Sequence, residues 1–278
     1  MKKIQRLKTT KILSEISIIF GSILALSSGV LLFTTTAHFL YFASGFFGGI
    51  ILVIIGGAIY AALRTRVYNT LIPTYFNGDI DNLSYNPFHG LSAYQVKNAN
   101  HLKDPDAFTS QNLFTGSIHQ CPFIFSHVTL KEVIDQNTNR TRAYFKGLVI
   151  IFDTNQSFKM HTHILTEGHP RTYKNYQKLD IKGDLLDNHF TIYTDNPTRA
   201  NYILNTYMVE VINTLYKHHP NLNISFIDKK IIITMNDEVN AFSMKLFKSS
   251  HLERLEILKK DIITLKSFIV AANIYFKS

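Results

Sequence analysis

The sequence predicts an α+β protein: an N-terminal transmembrane helical hairpin followed by a soluble domain with a mostly antiparallel sheet and packed helices. Three observations carry that prediction. From Ile16 to Leu63 there is no Asp, Glu, Lys or Arg, a run more than twice the roughly 20 residues that one helix needs to cross a bilayer. After residue 111 the chain breaks into short apolar segments separated by turn residues, the pattern of strands. Two longer segments there carry helical periodicity with capping residues at their starts.

Residues 1–66 form a basic segment and the hairpin. The break falls at "TTTAHF", Thr34–Phe39, where polar residues cluster, giving helices of about 14–33 and 39–63. Lys2, Lys3, Arg6, Lys8 and Lys11 precede the pair, Arg64 and Arg66 follow it, and the connection has no basic residue. The positive-inside rule then puts both termini and the main domain in the cytoplasm, in a multi-pass protein of the bacterial inner membrane. The reverse orientation would export the basic flanks. A signal peptide is the competing reading of the first segment, but its apolar stretch is long for one and a second span follows at once.

Those seven basic residues supply most of the formal net charge of +9. Membrane topology accounts for them, so no nucleic-acid partner is expected. Cys121 is the single cysteine, which excludes an intrachain disulfide and a thiolate-rich zinc site. Small residues form stripes at Ser17, Gly21, Ala25 and Gly29, and at Gly45, Gly49, Gly57 and Ala61. Such stripes predict close helix packing, within the hairpin or, alternatively, across a homodimer.

Residues 67–111 read as a connector with a short helix around Ser92–Leu102, because aromatics mix there with Pro, Gly, Asn and Asp without a sustained period. Residues 112–278 are the soluble α+β domain. Strands are predicted near Asn112–His119, Pro122–Ile134, "AYFKGLVIIFD", "MHTHIL", His189–Tyr193, Asn223–Ile227 and Lys230–Met235, the last two joined by a tight turn at Asp228-Lys229. A helical region starts with Asn196 as N-cap and Pro197 at the first helical position, divides near Asn205-Thr206 and stops at Pro220. An amphipathic helix of about 250–273 closes the chain, with Ser250 and Glu253 at capping-box spacing and Leu252, Leu255, Leu258, Ile262, Leu265 and Phe268 on one face.

Four blocks in order, "GSIHQCPFIFSHVTL", "FKGLVIIFDTNQSF", "FTIYTDNPTRANYILNTYMVEVINTL" and "ISFIDKKIIITM", resemble the bacterial DUF3137 family, a domain of unknown function. The resemblance covers most of residues 112–240 and, more loosely, the hairpin and the C-terminal helix. It rests on Gly116, Pro122, Phe123 and Ser126, then Phe145-Lys146-Gly147-Leu148 with Phe152, then Tyr193, Asp195, Ala200 and Tyr202. Where the family pattern carries a Glu after the serine of the second strand, this chain has His127. The resemblance implies two adjacent transmembrane helices before the soluble domain, and no activity, cofactor or catalytic residue.

His161 and His163 are the candidate metal ligands. Two apart on a strand, they point to one face, and a third ligand would come from His169, Asp153, His119 or His127. A partly solvated strand that happens to carry histidines is the plain alternative. Cys121 lies in a turn without a base at suitable spacing. Lys146-Gly147 belongs to no phosphate-binding motif, and Gly147 reads as a bulge or a close backbone approach. Arg199 reads as a surface salt-bridge former. His218-His219 reads as a favourable helix C-terminus without a further role.

No catalytic residue and no cofactor is assigned, and an enzyme is the less favoured reading. The expected function is that of an integral membrane protein displaying a cytoplasmic α+β domain for partner or membrane-surface binding. Its partners would be the lipid bilayer, a protein at the inner membrane face, or a second copy of the chain. The alternatives are a membrane-bound metal-dependent hydrolase using His161/His163 and a homo-oligomeric membrane assembly unit.

Overall fold

A computed structural model of the chain describes residues 2–34, 38–135, 138–154, 157–171, 175–179, 186, 189–238, 240, 242–248 and 254–272. The chain divides into two compact units, residues 1–74 with 241–253, and residues 75–240 with 254–278.

The first unit is built on α1 (Lys2–Thr34) and α2 (Phe39–Arg66). The predicted start near residue 14 is too late, because "KKIQRLKTTKIL" is rich in straight-chain residues that lose little rotamer freedom in a helix. Ile4, Leu7, Lys11 and Ser14 are buried, a stripe at helical spacing on that extra length. The connection at 35–37 lies outside the described residues. Both helices are long and apolar enough to cross a membrane.

Backbones approach closely where the small residues stand. A Cβ on Gly21 would lie 2.7 Å from the Gly49 carbonyl oxygen, and one on Gly49 would lie 2.5 Å from the Ala25 nitrogen. Gly56, rather than the expected Gly57, completes this seam: its Cβ would lie 2.8 Å from the Ser14 carbonyl oxygen, while Gly57 faces open space. Ser17 Oγ donates across the seam to the Leu52 carbonyl at 3.0 Å. The first of the two packing readings thus describes the hairpin's own interface, where small residues let the two backbones approach closely. After α2 come a π-helical turn (Val67–Leu71) and α3 (Ile72–Phe76).

The second unit is α+β, as the sequence predicts. Among the described residues nine strands form one sheet, every pair antiparallel. They are β1 (Asp81–Asn86), β2 (Ala107–Ile118), β3 (Cys121–Asp135), β4 (Arg140–Asp153), β5 (His161–Leu165), β6 (Gln177–Leu179), β7 (Thr191–Thr194), β8 (Leu222–Ile227) and β9 (Lys230–Met235). Their order is β1-β2-β3-β4-β9-β8-β5-β7-β6. The β8–β9 hairpin turns at Asp228-Lys229 as read from the sequence, with Asp228 at φ 51°. His119 and Gln120, both at positive φ, make the two-residue turn between β2 and β3 that the right-handed strand twist favours.

The stretch read as a connector holds more structure than its composition suggests. It contains β1, the first residues of β2 and the short helix α4 (Ala93–Lys97), the last capped reciprocally by Ser92 and Gln95. Asn112, the expected start of a strand, is instead a bulge inside one. It sits at φ 61°, where the β2–β3 register shifts, and its polar flanks hide the strand pattern.

β4 lies inside the sheet, between β3 and β9, and is buried on both faces from Leu148 to Phe152. On one face Val149 and Ile151 pack with Val128, Leu130 and Ile232 under Leu91, Val96, Ala99 and Leu102. On the other, Phe152 meets Phe123, and Phe125 stacks on Phe114 at 4.4 Å. Gly147 is required by a close approach: a Cβ there would lie 1.8 Å from the Met235 carbonyl oxygen.

α5 (Pro197–Ile203) and α6 (Thr206–His218) divide where Asn205 caps the second by accepting from the Met208 N–H. α7 (Arg254–Ala271) packs on α6, and its Phe268 stacks on Phe226 of β8 at 6.1 Å. The predicted capping box at Ser250 and Glu253 lies outside the described residues.

Candidate functional site

The histidines singled out by the sequence fall on β5, between β8 and β7. His161 is half-exposed at the strand's start. Its Nδ1 lies 3.1 Å from Asp195 Oδ2 and its Nε2 3.2 Å from Asp228 Oδ1. Its backbone N–H donates to Asp195 Oδ1 at 2.8 Å, so the side chain ties the end of β7 to the β8–β9 turn.

His163 is fully buried and has a different set of partners. Ser225 Oγ donates to the Ala99 carbonyl at 3.2 Å, so it accepts at 2.8 Å from His163 Nδ1–H. His163 Nε2 is then the acceptor for the Tyr176 hydroxyl at 3.3 Å. His101, on the segment that covers this face of the sheet, follows the same logic. Its Nδ1–H donates to the Ala99 carbonyl at 3.0 Å and its Nε2 accepts from Thr234 Oγ1 at 2.9 Å. Both rings are held neutral. Burial lowers His163 to about 3, helped by the nearby His101 and His161. Burial lowers His101 to about 4 against the opposing carbonyl bond.

His161 and His163 thus share a face but not a partner. Among the described residues no three His, Cys, Asp or Glu side chains gather to hold a metal ion. Of the third ligands considered, Asp153 pairs with Lys230 at 3.4 Å and His169 Nδ1 donates to the Pro170 carbonyl at 3.1 Å. Cys121 is buried, and burial followed by the Asp153 charge pushes its thiol up to about 12, the reverse of an activated nucleophile. Arg199, expected in a surface salt bridge, donates instead to the Phe158 carbonyl at 3.1 Å.

A second histidine cluster escapes the sequence reading. His219, which ends α6, is buried; its Nδ1 donates to Asp237 Oδ1 at 2.8 Å and its Nε2 to Asp261 Oδ2 at 2.7 Å. His218 Nδ1 donates to the other oxygen of Asp261 at 2.9 Å. Asp261 is wholly buried in the middle of the apolar stripe of α7. With both ring nitrogens donating to carboxylates, His219 is an imidazolium. Burial opposes that charge, and the bonds to Asp237 and Asp261 outweigh burial, raising the group to about 9. An Asp on the buried stripe, between Leu258 and Ile262, is the sequence signal that points here.

The helix pair presents a third feature. Its seam is filled, and its outer surface is apolar: Phe20, Ile23 and Leu26 on α1, and Phe47, Ile51 and Ile54 on α2, are all exposed.

The family model of DUF3137, described as a protein of unknown function, matches residues 143–272, and the resemblance drawn from the ordered blocks holds over that segment. It contains both histidine clusters except His101. No curated protein matches the chain. Among solved structures, the crystal structure of the mycobacterial trehalose monomycolate transport factor A is similar at 11% identity and a TM-score of 0.45, over 74% of this chain and 96% of that one.

Proposed function

We propose that this DUF3137-matching chain is an integral, multi-pass protein of the bacterial inner membrane, with both termini and the α+β unit on the cytoplasmic side. It presents that unit to a protein partner or to the membrane surface. One observation carries the reading: the two helices turn apolar residues outward along their length while small residues fill the seam between them. A hydrocarbon environment is the one in which that surface is satisfied.

Orientation follows from the basic residues that flank the pair, Arg6, Lys8 and Lys11 on one side and Arg64 and Arg66 on the other. Anchoring raises the effective concentration of the α+β unit near membrane partners. The buried polar clusters fit a binding module, because their partners lie within the unit and fix its shape. A reporter fused after Ser278 is expected to be active only in the cytoplasm, and periplasmic activity would overturn the orientation. Detergent extracts are expected to yield a co-purifying protein. Stoichiometric zinc or manganese that disappears in His161→Ala/His163→Ala would replace the binding module with a metal-dependent hydrolase. Cross-linked dimers lost on Gly57→Leu would favour an assembly unit instead.

A further inference from the structure

Residues 242–248 belong to the first unit, where they lie along the helix pair as a stretch of non-helical backbone. Helix side chains satisfy four of its backbone groups. Tyr60 Oη donates to the Met244 carbonyl at 2.9 Å, and the Met244 N–H donates to Tyr68 Oη at 3.3 Å. The Phe247 N–H donates to Glu15 Oε1 at 2.7 Å, and Lys11 Nζ donates to the Lys248 carbonyl at 2.8 Å. Lys11 also engages Glu15, so that carboxylate is compensated where it stands.

The heights of these contacts agree on the two helices. From Glu15 to Thr34, the end of α1, the helix rises about 29 Å, and from Phe39, the start of α2, to Tyr60 it rises about 32 Å. The hydrocarbon core of a bilayer is about 30 Å thick. With the hairpin's tip at one boundary, Glu15 and Tyr60 stand at the other, and Lys11 and Tyr68 lie beyond it. The charge-free run matches this span, since it begins at Ile16 and ends at Leu63. Residues 242–248 thus fall in the layer between hydrocarbon and water. Non-helical backbone approaches hydrocarbon only where its polar groups are paired within the protein, which is what the four bonds provide.

Phe247 faces outward from this layer. It is 54% exposed at φ 55°, a conformation that bulky residues enter only at a cost. The ring borders the same open surface as Ile12, Ile16 and Ile19, which are exposed on the apolar outer side of α1. In water this arrangement leaves an aromatic ring exposed on a strained residue. Against lipid the same ring extends the apolar surface of the helix pair to its boundary. Tyr60 and Tyr68 stand in that layer, where tyrosines are enriched in membrane proteins.

We infer that residues 242–248 are an interfacial membrane-contact segment, with Phe247 seated in lipid at the boundary opposite the hairpin's tip. The inference rests on the membrane reading above and adds a second contact to it, far along the chain from the hairpin. A bulky apolar side chain is what seats an interfacial segment. Here the helices, rather than secondary structure of its own, fix the segment's backbone.

Depth-dependent quenching in phosphatidylcholine vesicles tests it. The full chain carries a thiol-reactive fluorophore at Phe247→Cys, Gln5→Cys or Ile23→Cys, and nitroxides sit at graded depths on the lipid chains. Cys121 is buried, so the parent chain taken through the labelling gives the blank. The label at position 247 is expected about 15 Å from the bilayer midplane. Ile23→Cys should lie within about 5 Å of the midplane, and Gln5→Cys should be quenched by aqueous iodide alone. Adding Tyr60→Phe/Glu15→Leu, which removes two of the four ties, should raise iodide quenching at 247 towards the Gln5→Cys value; an unchanged depth would overturn the seating by the helices. Iodide access at 247 in the chain that keeps all four ties, beside lipid quenching at Ile23→Cys, would overturn the segment's lipid contact and leave the membrane reading standing. Iodide access at Ile23→Cys as well would overturn both.

Discussion

The α+β unit holds two buried histidine clusters that tertiary structure drives to opposite charge states. His101 and His163 meet hydroxyls and a carbonyl, and each ring has one donor and one acceptor role to fill. His219 meets two carboxylates, so both nitrogens must donate. Burial disfavours the cation in both places. It wins at His163, where among the described residues hydroxyls rather than carboxylates face the ring, and loses at His219, where two acidic groups do. Histidine burial by itself therefore says little about charge; the partner set decides it.

The largest effect that tests this contrast should come from Asp261. Replacing it by Asn leaves a buried imidazolium short of one counter-charge, and such a broken buried pair costs about 3–5 kcal/mol. Urea unfolding followed by tyrosine fluorescence would read it, since the chain has 14 Tyr and no Trp. A loss below 1 kcal/mol would mean that His219 is neutral.

The pH dependence should separate the clusters next. His219 is raised to about 9, so its contribution is full below its unfolded value near 6.5. It is lost as pH rises through about 9, on the order of 3 kcal/mol in all. His163 and His101 are lowered to about 3 and about 4. Above pH ~6.5 they impose no penalty, and as pH falls below that value the unfolded chain takes up protons first and stability declines. Stability should therefore peak near pH ~6.5. His219→Gln should flatten the alkaline limb and His163→Gln the acid limb; an unchanged profile in either variant would contradict the assigned charge state.

Smaller effects sharpen the neutral side. Ser225→Ala removes the acceptor of His163 Nδ1–H and should cost about 1–2 kcal/mol, measured as a lower urea midpoint at constant slope. Asp228→Asn touches only the half-exposed His161, and solvent screening should hold its effect below about 0.5 kcal/mol. A larger loss there would make His161 part of the buried network.

Much of this architecture is legible in local sequence. Asp228-Lys229 marks a hairpin, Asn205 marks a helix division by capping, and Gly147 marks a backbone approach, because each acts within a few residues or through its own conformational range. The polar clusters are less legible. His218-His219 satisfies the rule for a helix end, and that local explanation conceals Asp237 and Asp261, which lie 18 and 42 residues from His219. His161-x-His163 looks like a ligand pair because two strand positions share a face, yet the face is shared with Ser225 and the covering segment, which no spacing rule reveals.

By itself the sequence determined the two apolar helices, the strand-rich second half, its main turns and the DUF3137 resemblance, since composition and periodicity act locally. Tertiary structure alone decided that β9 and β8 insert between β4 and β5. It also decided that Gly56 rather than Gly57 fills the helix seam, and which histidines are charged. The reason is physical: hydrophobic period and turn chemistry are properties of neighbours in the chain. Strand order, close packing and the charge of a buried ring depend on groups brought together only when the chain has folded.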